Sequence, residues 1–167
     1  SAAPKLPEVK PQRIGAAAEA FALLDALSAA DRVFALVPET LGALCLLDGE
    51  TANVLFADDF ADTDWDAILR RLFDGSVELV LHDAKPAVAA LLARDIQPEG
   101  VKFDTCIAAY LIDPTQSGYD LPRVALAYCN TELPVLDLDD PAAVSPLGGQ
   151  EQVMEACAQH VSAVRAI

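Results

Sequence analysis

Residues 80–129 read VLHDAKPAVAALLARDIQPEGVKFDTCIAAYLIDPTQSGYDLPRVALAYC, and the punctuation of this stretch decides the fold. An apolar run ends at Leu81, and a polar turn, His82-Asp83-Ala84-Lys85, follows it. Val88, Leu91 and Leu92 then recur at helical spacing. Pro98 and Gly100 break that pattern, and a second helix is predicted from Asp104, with Ile107, Tyr110 and Leu111 on one face. A third starts at Asp120 and carries Leu121, Val124, Ala125 and Tyr128. Asp83 and Asp104 are read as N-caps, because a short carboxylate accepts from the free amides of a first helical turn. Tyr110 is expected to pack inward.

Working outward, residues 1–13 (SAAPKLPEVKPQR) are rich in proline and lysine and predict an extended linker leading into a single domain over residues 14–167. Residues 16–27 predict a short amphipathic helix on Phe21, Leu24 and Leu27. Residues 32–37, 41–47 and 52–57 predict three strands, and Asp48-Gly49-Glu50 is a tight-turn signal between the last two. Short connections between consecutive strands imply an antiparallel meander. Residues 58–66 (DDFADTDWD) predict a charged loop with an N-cap at Thr63 or Asp64; they lack the spacing and glycine of a calcium loop. Trp65, Ile68, Leu69 and Leu72 mark a helix, and residues 77–81 a buried strand. Residues 131–149 form an acidic connection, in which Gly148-Gly149 is a loop and no phosphate cradle, since no Lys-Ser/Thr follows. Residues 152–167 predict a final helix on Val153, Cys157, Val161 and Val164. It reaches Ile167 with no capping glycine or proline, which reads as a segment of something longer.

The chain carries 26 Asp and Glu against 11 Lys and Arg, a formal net charge of -15. Tight DNA binding releases counterions through clustered cations, and here the only adjacent pair is Arg70-Arg71. Weak or no binding to DNA by this segment alone is therefore expected. No apolar run approaches bilayer length and no signal peptide is present, which points to the cytoplasm and away from membranes. Cys45, Cys106, Cys129 and Cys157 lie far apart in apolar contexts and read as buried free thiols; no CxxC pair or His/Cys cluster suggests zinc.

Three blocks, LHDAKPAVAALLARDI, FDTCIAAYLIDP and YDLPRVALAY, come in an order that resembles the proofreading 3'-5' exonuclease domain of family A DNA polymerases, the bacterial DNA polymerase I type. The likeness extends from Arg32 onward. It implies an α/β, ribonuclease H-like mixed sheet, three antiparallel strands plus parallel ones, flanked by helices; the predicted element order agrees. It also implies a polymerase domain in cis, and a role in DNA replication and repair. Exonucleases of that family hydrolyse a phosphodiester with two divalent metals held by carboxylates, as magnesium's preference for hard oxygen donors requires.

The resemblance then locates the site, and the residues found there depart from it. The family's first strand carries Asp-x-Glu; here Val37 stands at the Asp position and Glu39 at the Glu. The next Asp position holds Ala87. In the last helix the best register puts Gln159 at the Asp position and Glu155 at that of a Tyr four residues earlier. Only Glu39 is kept, a weak metal candidate. Val37 and Ala87 line the cleft with apolar groups, which disfavours an ion, and Pro38 removes a backbone donor. His82 is read as structural, since no Ser or Cys is spaced to form a triad with it. His160 is followed five residues later by Arg165 where a histidine-bearing variant of the class needs Asp.

The expected function is a catalytically inactive exonuclease-like domain with no cofactor of its own, magnesium being needed only by the parent polymerase. Two alternatives stand beside it. One is an active two-metal exonuclease using Glu39, Asp83 and Asp104; the other is a free-standing interaction module.

Overall fold

The computed structural model describes residues 6–144 and 150–167. Two apolar segments form its centre. Strand β3 (Ala43–Asp48) and strand β4 (Thr51–Phe56) are apolar at nearly every position, as strands covered on both faces must be. They pair antiparallel from Asp48↔Thr51 to Ala43↔Phe56, and the turn between them places Gly49 at φ 58°. Strand β2 (Val33–Leu36) pairs antiparallel with β3, which completes the predicted meander.

Strand β5 (Asp74–Leu81) then lies parallel to β2, and strand β6 (Glu99–Asp104) parallel to β5. Strand β1 (Lys10–Arg13) pairs parallel with β4 on the far edge. The sheet has six strands in the order β1-β4-β3-β2-β5-β6. A mixed α/β sheet flanked by helices was expected, and this is what the chain forms.

Side chains alternate across the sheet, so each strand feeds two cores. Leu44, Leu46, Leu55, Val33, Ala35 and Leu79 face helices α1 (Ala17–Leu27) and α2 (Asp62–Leu72), where Leu24, Leu27, Ile68, Leu69 and Leu72 close the layer. On the other side Ala43, Cys45, Leu47, Val54 and Phe56 are covered by helix α7 (Gln150–Ala166) through Cys157, Ala158 and Val161. Helix α5 (Leu121–Cys129) joins that side through Leu121 and Ala125, against Val80, Ala163 and Val164. Helix α3 (Lys85–Ala93) follows β5, helix α4 (Thr105–Ile112) follows β6, and the short helix α6 (Pro141–Val144) precedes α7. Cys45, Cys129 and Cys157 are buried, Cys106 is half-buried, and all four are free thiols. No helix among the described residues is long and apolar enough to cross a membrane.

Several expectations need correction. Residues 10–13, expected to belong to a leading linker, form strand β1, and Val9 before it is buried in the core. The strand's proline, Pro11, is tolerated on an edge strand, and Arg13 anchors it through an ion pair to Asp59 at 2.6 Å. The break at Pro98 and Gly100 is the start of β6: Gly100 sits at φ 86° beside a register shift between β5 and β6. The charged loop over residues 58–66 gives way to a 3-10 turn (Ala57–Asp59) and to α2 from Asp62, with Ala61 as N-cap and no side-chain cap from Thr63 or Asp64. Phe60 stacks on Trp65 at 5.5 Å across the helix start, a hydrophobic staple. Asp62 and Asp64 sit in the first turn, where the helix dipole favours negative charge. Gly148-Gly149 lies outside the described residues.

Candidate functional site

In sheets with parallel strands, ligands meet the carboxyl ends of the strands where the order reverses. Here that place is the end of β2 and β5. Val37 and Pro38 leave β2, His82 leaves β5, and they line a cavity of about 200 Å³ together with Leu121. Its remaining wall is a strap after α5, Leu136-Asp137-Leu138-Asp139. Leu133 and Leu138 bury themselves in the two cores of that face. His160 Nε2 donates to the Pro134 carbonyl at 2.7 Å, and Asp139 Oδ1 accepts from the Thr40 amide at 2.8 Å. The strap is thus tied to α7 at one end and to the lip of β2 at the other. Its signal was present in the sequence as the alternation Leu136-Asp137-Leu138-Asp139, which the reading of residues 131–149 as a plain connection missed.

The predicted site residues are not gathered in one place. Val37 is half-buried against the α1/α2 core, while Glu39 is exposed in the turn after Pro38. That turn is fixed from below, where Leu41 donates its amide to the Pro38 carbonyl and accepts from Trp65 Nε1 at 2.9 Å. Ala87 is buried in the first turn of α3. Glu155 and Gln159 are exposed on α7 and line a different, larger cavity of about 510 Å³, shared with Pro7, Val9 and Thr131. Counting register from the helix pattern could not reveal this, because the last helix offers no motif residue to fix it.

Asp104 does cap α4, accepting from the Cys106 amide at 2.8 Å. It also accepts from the Asp83 and Ala84 amides, each at 2.8 Å, so its two oxygens bind three backbone donors. Asp83 is not the cap of α3. It stands exposed at φ 58°, Ala84 occupies the N-cap position with no side-chain cap, and the Asp104 carboxylate fixes the turn that leads into the helix. Tyr110 is half-exposed instead of packed inward, and rests edge-on against Tyr119 at 5.5 Å.

Magnesium requires several converging oxygen donors. Among the described residues no three His, Cys, Asp or Glu side chains form a group able to hold a metal ion. The donors at the strand ends therefore do not fit the metals that the family's chemistry uses. Burial pushes the Cys106 thiol up, and the nearby Asp83, Asp104 and Asp120 push it further, which makes it a poor nucleophile.

Both histidines are structural. His82 donates from Nε2 to the Tyr119 carbonyl at 2.6 Å and accepts at Nδ1 from the Thr105 hydroxyl at 2.7 Å, since a carbonyl fixes which nitrogen carries the proton. Burial holds both imidazoles below the usual 6.5, with the carbonyl partners offsetting part of the effect. Below about pH 6.5 the unfolded chain takes up protons that the folded chain resists. Stability present at pH 7.5 is therefore lost as the pH falls from 6.5 toward the depressed folded values. Thermal unfolding at pH 7.5, 6.5 and 5.5 is expected to give a falling midpoint, and the fall shrinks in His160→Gln; a flat profile excludes this coupling.

A family model described as DNA polymerase I, ribonuclease H-like domain, matches residues 42–135. That span includes Ala87 and lies between Glu39 and Glu155. The chain is 37% identical over 99 residues to DNA polymerase I of Mycobacterium tuberculosis, 56% of this chain and 10% of that protein. It is 41% identical over 54 residues to DNA polymerase I of Geobacillus stearothermophilus, 32% of this chain and 6% of that protein. The chain thus spans about a tenth or less of these relatives' length. Among solved structures, the POL domain of Pol1 from M. smegmatis in complex with DNA primer-template and dNTP superposes with a TM-score of 0.68 at 25% identity, over 91% of this chain and 25% of that one. Escherichia coli RNase D, an exoribonuclease involved in structured RNA processing, shares the fold with a TM-score of 0.65 at 20% identity, over 90% of this chain and 41% of that one.

Proposed function

The chain belongs to the family of DNA polymerase I ribonuclease H-like domains, and from that premise we propose that it is a vestigial 3'-5' exonuclease-like domain. Its fold is retained, its hydrolytic site is lost, and its role is architectural beside a polymerase domain in DNA replication and repair. One observation carries this reading. The strand-end cavity, where a two-metal site needs converging carboxylates, is lined by Val37, Pro38, Leu121, Leu136 and Leu138 with His82, Asp137 and Asp139 among them, and no three acidic, histidine or cysteine side chains among the described residues converge on one point.

Glu39, the carboxylate that the resemblance retains, is exposed in a turn. A lone exposed carboxylate gains too little to strip water from a magnesium ion, and the two acidic side chains of the cavity wall are engaged by backbone, Asp139 accepting from the Thr40 amide and Asp137 from the Asp139 amide. Asp104 does not supply the deficit, because its oxygens already accept three amides. The domain takes no cofactor of its own, and magnesium serves the polymerase portion. Contact with DNA comes through that portion, in the cytoplasm, as the net charge of -15 favours.

The test is a labelled single-stranded oligonucleotide incubated with the purified chain in magnesium or manganese. No shortening from the 3' end above the level of Glu39→Ala is expected. Metal-dependent shortening that Glu39→Ala abolishes overturns the proposal and points to an active exonuclease.

A further inference from the structure

Helix α4 is amphipathic in the wrong direction for a helix of an isolated domain. Ile107, Tyr110 and Leu111 stand at i, i+3 and i+4 and so share one face. That face points to solvent: the three are 59%, 52% and 73% exposed, and Ile112 beside them is 70% exposed. Only Thr105 and Ala109 of the helix are buried. Ala109 meets Val124 and Tyr128 of α5 around a small cavity, so α4 rests on α5 through its small residues and turns its large ones outward. Phe103, just before the helix, adds a half-exposed aromatic ring. By contrast α2 directs Trp65, Ile68, Leu69 and Leu72 into the core. A contiguous apolar face of this kind on an ordered helix marks an interaction surface.

The surroundings constrain what covers it. Asp83, Asp104 and Asp120 all act on Cys106 in the first turn of α4, so that end of the helix carries an acidic rim. The fitting partner is apolar at its centre and basic at the edge facing residues 104–106. In the M. smegmatis polymerase structure the matched fold is a quarter of the chain, so the fold there sits beside a much larger body. A body joined in the same chain meets an apolar face at high effective concentration, with no second molecule needed to cover it.

We propose that the α4 face, with Ile107, Tyr110 and Leu111 at its centre, is the surface by which the domain docks on the polymerase portion of its own chain. The inference rests on the reading of the domain as part of a polymerase, and deepens it by naming the contact.

Hydrogen exchange over residues 105–112 is compared between the 167-residue chain and the full natural gene product. Docking is expected to slow exchange there about tenfold or more in the longer protein. Leu111→Asp returns it to the rate of the 167-residue chain, and Leu92→Asp on α3 leaves it slow. Leu111 is exposed enough that the variant keeps its fold, which far-ultraviolet circular dichroism checks. Equal exchange in both proteins, with a polymerase portion present, overturns the docking surface and leaves the vestigial reading intact. A gene product without a polymerase portion overturns the reading beneath it. A 167-residue chain that dimerises, and that Leu111→Asp makes monomeric, assigns the face to a second copy and overturns the proposed occupant.

Discussion

Trp65→Ala is expected to lower stability by about 4 kcal/mol, near the upper range for deleting a buried aromatic. The side chain is 5% exposed within the α1/α2 core, and three interactions vanish with it. Its ring stacks on Phe60 to start α2, and its volume fills the space between α2 and the sheet. Its Nε1 bonds the carbonyl of Leu41, a residue held at φ 56° in the turn that carries Glu39. Losing that donor leaves a buried acceptor unpaired and a left-handed leucine unsupported. The midpoint of thermal unfolding should fall by about 12 °C for a domain of this size. Trp65→Phe keeps most of the packing and loses the hydrogen bond, at about 1.5 kcal/mol. Comparable losses in the two variants would show that the indole nitrogen, and not the ring, fixes the lip of the cleft.

Gly100→Ala is expected to cost about 3 kcal/mol, through backbone geometry alone. A Cβ at this position would lie 2.3 Å from the Val77 carbonyl oxygen, and φ is 86°, where side chains are rarely found. No rotamer relieves a clash with backbone, so β6 must peel from β5 at the register shift. Gly49→Ala is the control. Its φ of 58° carries the same kind of strain, but nothing lies within 4 Å of the added carbon, so about 1 kcal/mol is expected. Chemical denaturation of the two variants separates crowding from strain; equal losses would mean that the approach of Val77 is readily relaxed.

The central meander and the last helix follow from apolar runs and spacing that residues 32–57 and 152–167 display openly, and residues 77–81 mark the buried strand that pairs parallel with β2. What stayed hidden has identifiable physical reasons. Strand β1 is short and carries a proline, and edge strands tolerate both. Strand β6 carries as its second residue a glycine, Gly100, that allows close approach to Val77, which in one dimension looks like a helix break. Periodicity located the apolar face of α4 correctly but cannot state what covers it, since burial belongs to the partner as much as to the helix. Asp83 and Asp104 are equally plausible caps by local rules, and only their separation across β5 and β6 shows that one carboxylate serves both turns. At the candidate site, the absence of carboxylates at Val37 and Ala87 was legible. The strap that occupies the strand ends was not, and neither was the orientation of Gln159, which faces another cavity.

The hydroxyl of Ser162 donates to the carbonyl of Pro7 at 3.0 Å, and α7 covers the face formed by Ala43, Cys45, Val54 and Phe56. The consequence is one of timing. A nascent chain leaving the ribosome completes its meander long before the helix that shields it has been made. Through that interval one side of the sheet stays greasy and adhesive, a substrate for chaperones and a seed for aggregation. Slowing translation between residues 56 and 150 should therefore lower the soluble yield without altering a single contact of the finished molecule.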